Sequence, residues 1–497
     1  MAQPTRRPSP SMTLQRWPYG SLCAARAARC ALAVRCPPMS SDSSRARAGE
    51  ENERLPLILG FQRIAENTAS ETRFIERGQG IYVYDTDGRE YIEATATFYV
   101  ASLGYQHPEL IDAIMAQYRE LPFFVSALNR TSKRSLDLAE RLVQMVPVPD
   151  AHILFASTGS EANDFLVKLL RFQAVARDQP QRVTIIGREG SYHGGTLASA
   201  SLTGAHHEEF GLPLPGFRHV SQPDYHGSRA PGETTQAFAR RLAQELDDLI
   251  RREPPNSVAA FFAEPISFSA GFKTPPAEYF PAIAAVLDQH DVSFVVDEVI
   301  TGGGRTGAFF GCETYDLKPT HITLAKAITS GYFPLSAIVI GRELYADLER
   351  GSAAVGTLAH AATYAAHPVG AAAALKVLEI IERDQLVAHA ALMGEHLARG
   401  LRAYADHPLV GEVRTQGLGG ALDFLLRDED DRPSNDAASA EATCLAVHSV
   451  LFAAGVVTRA AGRSLIFAPP LIIQASEIDE ICARLGRSLD LVLARRR

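Results

Sequence analysis

Cysteine is scarce and poorly placed for a disulfide scaffold. Of six in 497 residues, Cys23, Cys30 and Cys36 crowd the start, leaving Cys312, Cys444 and Cys482 scattered through the body. Lone thiols of this kind suit a reduced interior rather than a cross-linked secreted domain. No C-x-x-C or H-E-x-x-H spacing occurs, which argues against a zinc site. No uncharged run is both long and apolar enough to span a bilayer, and the Ala-rich stretch near Gly370 reads as a small-residue helix. Positive charge is in deficit: 49 Lys and Arg face 57 Asp and Glu, a net −8. That balance excludes nucleic acid or an anionic membrane as the main partner.

Tryptophan occurs once, at Trp17, inside a leader unlike the rest. Residues 1–38 hold six arginines (Arg6, Arg7, Arg16, Arg26, Arg29, Arg35) and no acid. Two readings stand. One is an organelle transit peptide, which has this composition. The other, which we favour, is an over-extended start with Met39 as initiator and a cytoplasmic protein. Taking those six charges from −8 leaves a body at −14. We assign 1–55 to a basic, then polar leader outside the fold.

The body has 46% hydrophobic and 21% charged residues, the make-up of a globular protein large enough for two domains. Through its middle, short apolar runs alternate with helical patterns: HILFA, RVTIIG, VAAFFAEP, VSFVVDEV and PLSAIVIG, each bounded by Gly, Pro or charge. Such alternation predicts an α/β fold with a mostly parallel, doubly wound sheet. Ligands of that architecture bind beyond the carboxyl ends of the strands, where STGS, AEP and DEV fall. Earlier, GIYVYDTDGREYIEA predicts a hairpin turning at Asp87-Gly88. Later, GGALDFLLRD, VVTRAAGRSLIFAPP and a last helix capped at Ser476 predict a small α+β unit. The expected division is 56–105 and 371–497 for a small domain, with 106–370 as the large one.

Within VVDEVITGGGRTG (295–307), Gly302, Gly304 and Gly307 spell a dinucleotide fingerprint. The context is wrong for it. A ribose-binding acid should follow roughly 20 residues later, and Lys326 stands there instead, while Asp297 and Glu298 precede the glycines. A lysine among Leu324, Ala325, Ala327 and Ile328 favours its neutral amine, which can form a Schiff base. A carboxylate such as Asp297 at a strand end can keep a pyridine nitrogen protonated, so that pyridoxal phosphate acts as an electron sink. In STGSEAN, a glycine-containing turn at a helix start suits a phosphate. Tyr192-His193-Gly194 offers an aromatic face to a flat heterocycle. Each feature alone has an ordinary structural explanation; their joint occurrence on one rim does not.

From about Gly60 to its end the chain resembles the class III, omega-type pyridoxal-phosphate aminotransferases. STGSEAN, SYHGGT, FFAEP, VVDEVITGGGRTG, LAKAITSGYFP, TYAAHPVG and LIFAPPL carry the resemblance, which is greatest to the amine:pyruvate branch. There Ile300 replaces the glutamine of ornithine- and GABA-type relatives. The resemblance implies fold type I, pyridoxal 5′-phosphate as cofactor, an amine donor, a keto-acid acceptor (pyruvate), and a homodimer with shared active sites. It implies that Lys326 forms the Schiff base and shuttles the proton, and that Asp297 pairs with the pyridine nitrogen. Val299 and Tyr192 would cover the two ring faces, with His193 and Glu264 in the cofactor shell. Thr158, Gly159 and Ser160 would hold the phosphate, joined by Thr363 from the partner subunit. Phe98, Tyr99 and Arg459 would line the substrate side, Arg459 gripping a carboxylate, with Arg463 a competitor for that role.

Departures concern the pocket. Tyr99 stands where relatives commonly have tryptophan, and Ala127 and Leu128 replace bulkier aromatics. The alternative on the same scaffold is an aminomutase, a racemase or a dialkylglycine-type decarboxylase.

Overall fold

The computed structural model describes residues 54–204, 208–424, 426–427, 433–434 and 437–496. Trp17, Cys23, Cys30, Cys36, the arginine-rich leader and Met39 lie outside the described residues. The described residues up to Arg73 and those from Phe74 onward form two units. In the first, Asn67 ties a short segment together, its side chain donating to the Leu57 carbonyl and its carbonyl accepting from Leu55 N–H at 3.0 Å.

The second unit opens with three strands, β1 (Ile75–Gln79), β2 (Tyr82–Asp85) and β3 (Glu90–Glu93); β2 pairs antiparallel with β1, and with β3 around the Asp87-Gly88 turn. Then come β4 (His152–Ala156), β5 (Thr184–Arg188), β6 (Phe217–Val220), β7 (Val258–Ala263), β8 (Ser293–Asp297), β9 (His321–Leu324) and β10 (Ser336–Ile340). These seven form one sheet in the order β4-β10-β9-β8-β7-β5-β6. Only β10 runs against the rest, antiparallel to both β4 and β9. β5, β7, β9 and β10 are buried throughout, as expected of strands covered on both faces.

Helices supply the covers. Lys133–Met145, Thr235–Arg252 and Tyr279–Gln289 pack their apolar stripes on one face around Leu138, Phe238 and Ile283. Gly159–Ala176 and Arg342–Val355 cover the other, around Leu166, Leu170 and Leu344. Their starts are set by hydroxyl caps: Ser132, Thr158 and Thr234 each accept an N–H from the first turn.

A second sheet and core lie toward the C-terminus. β11 (Val410–Thr415), β12 (Gly420–Phe424), the short β13 (Leu426–Arg427) and β14 (Pro433–Ser434), β15 (Val456–Val457), β16 (Arg459–Ala461) and β17 (Ser464–Phe467) complete the strands. β11-β12-β17-β16 form one antiparallel sheet, and β15 joins β3. Leu397, Leu451 and Leu485 pack on them from three helices. The last of these, Ala475–Ala494, is not capped by Ser476. Gln474 is the cap, in a reciprocal box with Glu477 that leaves Ser476 inside the first turn.

Candidate active site

Because β4, β5, β7, β8 and β9 run one way, residues that follow them gather on one rim: Thr158, Tyr192, Glu264, Asp297 and Lys326. These five, with Gly159, Ser160, His193, Val299 and Ile300, line one cavity of about 370 Å³. Lys326 leaves β9 in the left-handed region at φ 47°, a conformation costing about 1–2 kcal/mol for an L residue and held here by the 3-10 turn Lys326–Ile328. Burial pulls its amine down to about 8, reinforced by Arg459 and opposed by Asp297 and Glu264. A substantial neutral fraction near pH 7–8 makes Nζ a usable nucleophile and base.

Asp297 is 3% exposed. Burial alone would raise its carboxyl. His193, Asn163 and the Val299 N–H more than offset that and hold it below the usual carboxylate range. His193 Nδ1 lies 2.8 Å from Oδ2, Asn163 Nδ2 donates to the same oxygen at 2.9 Å, and Val299 N donates to Oδ1 at 3.0 Å. Behind His193 stands Glu264, its Oε2 3.9 Å from Nε2. Arg188 reaches that carboxylate at 2.9 Å and the Glu264 carbonyl at 2.6 Å. A buried polar chain, Asp297–His193–Glu264–Arg188, therefore backs the Asp297 carboxylate.

Asn163 and Arg188 were not singled out from the sequence. Each left a signal: Asn163 closes STGSEAN one turn into its helix, and Arg188 is a charge ending a strand that is otherwise apolar.

In the same cavity, Thr158 spends its hydroxyl capping its own helix, accepting from Glu161 N at 3.1 Å. The N–H groups of Gly159 and Ser160 have no acceptor among the described residues and point from the positive end of an 18-residue helix. A Cβ on Gly159 would sit 3.1 Å from both Val299 methyls, so glycine is what leaves the cleft open. Gly194, at φ 141°, is closer still: a Cβ there would lie 2.6 Å from Ser160 Oγ.

The glycines of 302–307 do a different job. Gly303, Gly304 and Gly307 take positive φ in a loop that folds back on Phe309, whose carbonyl accepts from both Gly303 and Gly304. No helix opens on them, so the dinucleotide pattern is accidental. Glu298 anchors this loop by accepting from Gly311 N at 2.8 Å, Cys312 N at 2.6 Å and the Thr301 hydroxyl.

A family model described as Aminotransferase class-III matches residues 64–489. The chain belongs to the class III aminotransferases. It is similar to the probable gamma-aminobutyrate transaminase 3, mitochondrial, of Oryza sativa subsp. indica, 39% identical over 87% of this chain and 84% of the relative. It is also similar to the vanillin aminotransferase of Capsicum frutescens, 36% identical over 87% of this chain and 95% of the relative. Among solved structures, the omega transaminase of Pseudomonas jessenii in complex with PMP superposes with TM-score 0.85 at 38% identity, covering 88% of this chain and 96% of that one.

The enzyme is therefore a pyridoxal-phosphate-dependent aminotransferase of fold type I, moving an amino group from an amine to a keto acid. Its cavity suits that cofactor: the Asp297 carboxylate, a helix start whose N–H groups meet no acceptor among the described residues, and the Tyr192 and Val299 side chains all line it.

The remaining predicted residues lie outside this cavity. Thr363 is exposed beside Tyr364, itself 66% exposed. Phe98 and Tyr99 stand under Arg459, whose guanidinium carbon is 4.8 and 5.8 Å from their ring centres. Arg463 is held elsewhere, its Nε 3.0 Å from the buried Asp423 carboxylate. Among the described residues, no helix is long and apolar enough to cross a membrane.

Proposed function

We propose that this aminotransferase is of the amine:pyruvate type, working by a ping-pong cycle with pyruvate as acceptor and Lys326 as the catalytic base. The observation that carries the reading is Lys326, its amine lowered to about 8, in one cavity with the Asp297 carboxylate and an uncapped pair of helix N–H groups.

Bound, the cofactor supplies an aldehyde that condenses with amines and a ring that takes up the electron pair of a broken C–H bond. Asp297 would hold a proton on the pyridine nitrogen, kept ionised for this by His193 and Asn163. Gly159 and Ser160 N–H groups bind the phosphate. Tyr192 and Val299, both lining the cavity, would pack against the cofactor ring. Lys326 Nζ would take the proton from the substrate carbon and return it during the exchange. Arg459 grips the carboxylate of the keto acid bidentately.

The working unit is a homodimer, with Thr363 contributing to the phosphate site of the neighbouring subunit. Support comes from the exposed aromatic pair beside it: Tyr364, 66% exposed, packs its ring against Phe123, itself 40% exposed. The buried free thiols of Cys312, Cys444 and Cys482 suit a reducing compartment, and we assign the cytoplasm. Cell fractionation tests that directly; recovery in an organelle would favour import directed by the arginine-rich leader.

The decisive variant is Lys326→Ala. It should lose the visible band of the bound cofactor and at least about a hundredfold in turnover. Retention of both would remove Lys326 from the mechanism.

A further inference from the structure

The seven-stranded sheet has two ends, and the cofactor chemistry uses one. At the other end β8 and β9 begin, at Ser293 and His321, and the reversed β10 runs out into Gly341. These three residues line a cavity of about 470 Å³, larger than the one at the cofactor rim. Leu170, Leu287, Val292 and Leu344 give it apolar walls. His321 is its buried polar group, 4% exposed. Burial pulls the ring down to about 3, so it is neutral at working pH. Gly341 N donates to Nδ1 at 3.2 Å, which places the single ring proton on Nε2. That N–H meets no acceptor among the described residues, and a buried donor is costly to leave unpaired.

Two guanidiniums share the cavity, each tied along one edge only. Arg177 pairs through Nε with Asp347 and through Nη2 with Glu343 at 3.0 Å. Arg182 pairs through Nη1 with Asp291 at 2.9 Å, and its Nη2 donates to the Asp291 carbonyl. Arg177 Nη1 and Arg182 Nε have no acceptor among the described residues. The exposed Arg342 and Asp288 complete the charged lining, so three arginines face three acids, Asp288, Asp291 and Glu343. What the cavity has in excess is donors without acceptors.

The geometry points to a second ligand site here, for a small monocarboxylate with a short apolar body, held by His321 Nε2–H and the free edges of Arg177 and Arg182. Unpaired N–H groups call for an acceptor-rich head, and a carboxylate takes such donors more strongly than a neutral group does. Guanidiniums already paired with acids favour one negative charge over two. The apolar walls call for hydrocarbon. The site also touches strands that reach the cofactor. β9 runs from His321 to Leu324, which Ala325 and Lys326 follow, and β10 begins at Ser336, whose hydroxyl donates to the Thr158 carbonyl at 2.8 Å. The inference stands independently of the amine:pyruvate reading.

Butyrate is the probe, since it has neither the amino nor the keto group that transamination needs. Its binding is read by calorimetry on holoenzyme carrying Arg459→Ala, which removes the carboxylate grip assigned to the catalytic site. We expect one butyrate per subunit. Adding His321→Leu, which replaces a neutral ring by an apolar group of similar size, should weaken binding at least about tenfold. Arg182→Met, nearer the surface, should weaken it as well. Butyramide, of the same size without the charge, should bind at least about tenfold more weakly than butyrate. Butyrate should raise the melting temperature of Arg459→Ala and leave that of the His321→Leu double variant unmoved, which separates a lost site from a lost fold. No binding to Arg459→Ala would mean that the cavity holds water only, and would overturn the site. Binding that ignores His321→Leu, or butyramide binding as tightly as butyrate, would overturn it too. None of these outcomes bears on transamination, which fails instead if no amine changes the cofactor spectrum.

Discussion

A lysine amine lowered to about 8 has a consequence for the pH profile. Lys326 acts as a base only without its proton, so the amine half-reaction should slow as pH falls below about 8 and level off above it. Single-turnover rates across that range test this, and a flat profile would point to a different base. In the same cavity, His193 is the largest offset to the desolvation of Asp297. His193→Phe leaves burial unopposed on that side, the carboxyl rises, and its hold on a pyridinium weakens. Losing one charge-assisted hydrogen bond is worth about 1.5–3 kcal/mol, so cofactor affinity should fall roughly 10- to 100-fold, measurable by fluorescence titration of the apoenzyme. Unchanged affinity would make His193 a bystander.

Elements bring these residues together, and they differ in how plainly the sequence announces them. β5, β7, β8 and β10 are apolar runs bounded by breakers, so their existence is readable, as is the hairpin at Asp87-Gly88. β6 (FRHV) and β9 (HITL) are four residues each with polar members, and become strands because neighbours on the sheet pair with them. The reversed direction of β10 has no trace in PLSAIVIG, which reads the same either way. The left-handed turn at Ala96–Tyr99 is also silent, since none of its residues is glycine and the Glu93 carboxylate, accepting from Thr95 and Thr97, enforces it from outside. Gly194 shows how tightly the elements meet. With φ 141° and Ser160 Oγ 2.6 Å from a would-be Cβ, Gly194→Ala should lower the melting temperature and weaken cofactor binding together. A variant that binds cofactor normally would show that the Ser160 side can yield.

Across the molecule, one buried ion network links residues distant in the chain. Asp423 on β12, 1% exposed, takes Lys273 at 3.2 Å and Arg463 at 3.0 Å, and also pairs with Arg414. Lys273 in turn meets Asp224 at 2.9 Å. Removing one member of such a set leaves uncompensated buried charge, typically costing about 3–5 kcal/mol. Asp423→Asn should therefore lower the melting temperature clearly, and a change within error would mean water already serves the cations. The motifs from which we propose the cofactor site were legible because each needs particular residue types at a strand end. The ion network was not, since Asp224, Lys273, Arg414, Asp423 and Arg463 look like ordinary surface charges until the fold collects them. At the same scale, sedimentation of the holoenzyme should give a dimer, and Leu128→Asp, placed on the exposed apolar surface, should shift it toward monomer.

The most direct test of the account is the visible spectrum of the purified holoenzyme, recorded alone, after an amine donor, and again after pyruvate. We expect the cofactor band to disappear with the amine and return with pyruvate. A band that ignores every amine, or fails to return with any keto acid, would contradict the account.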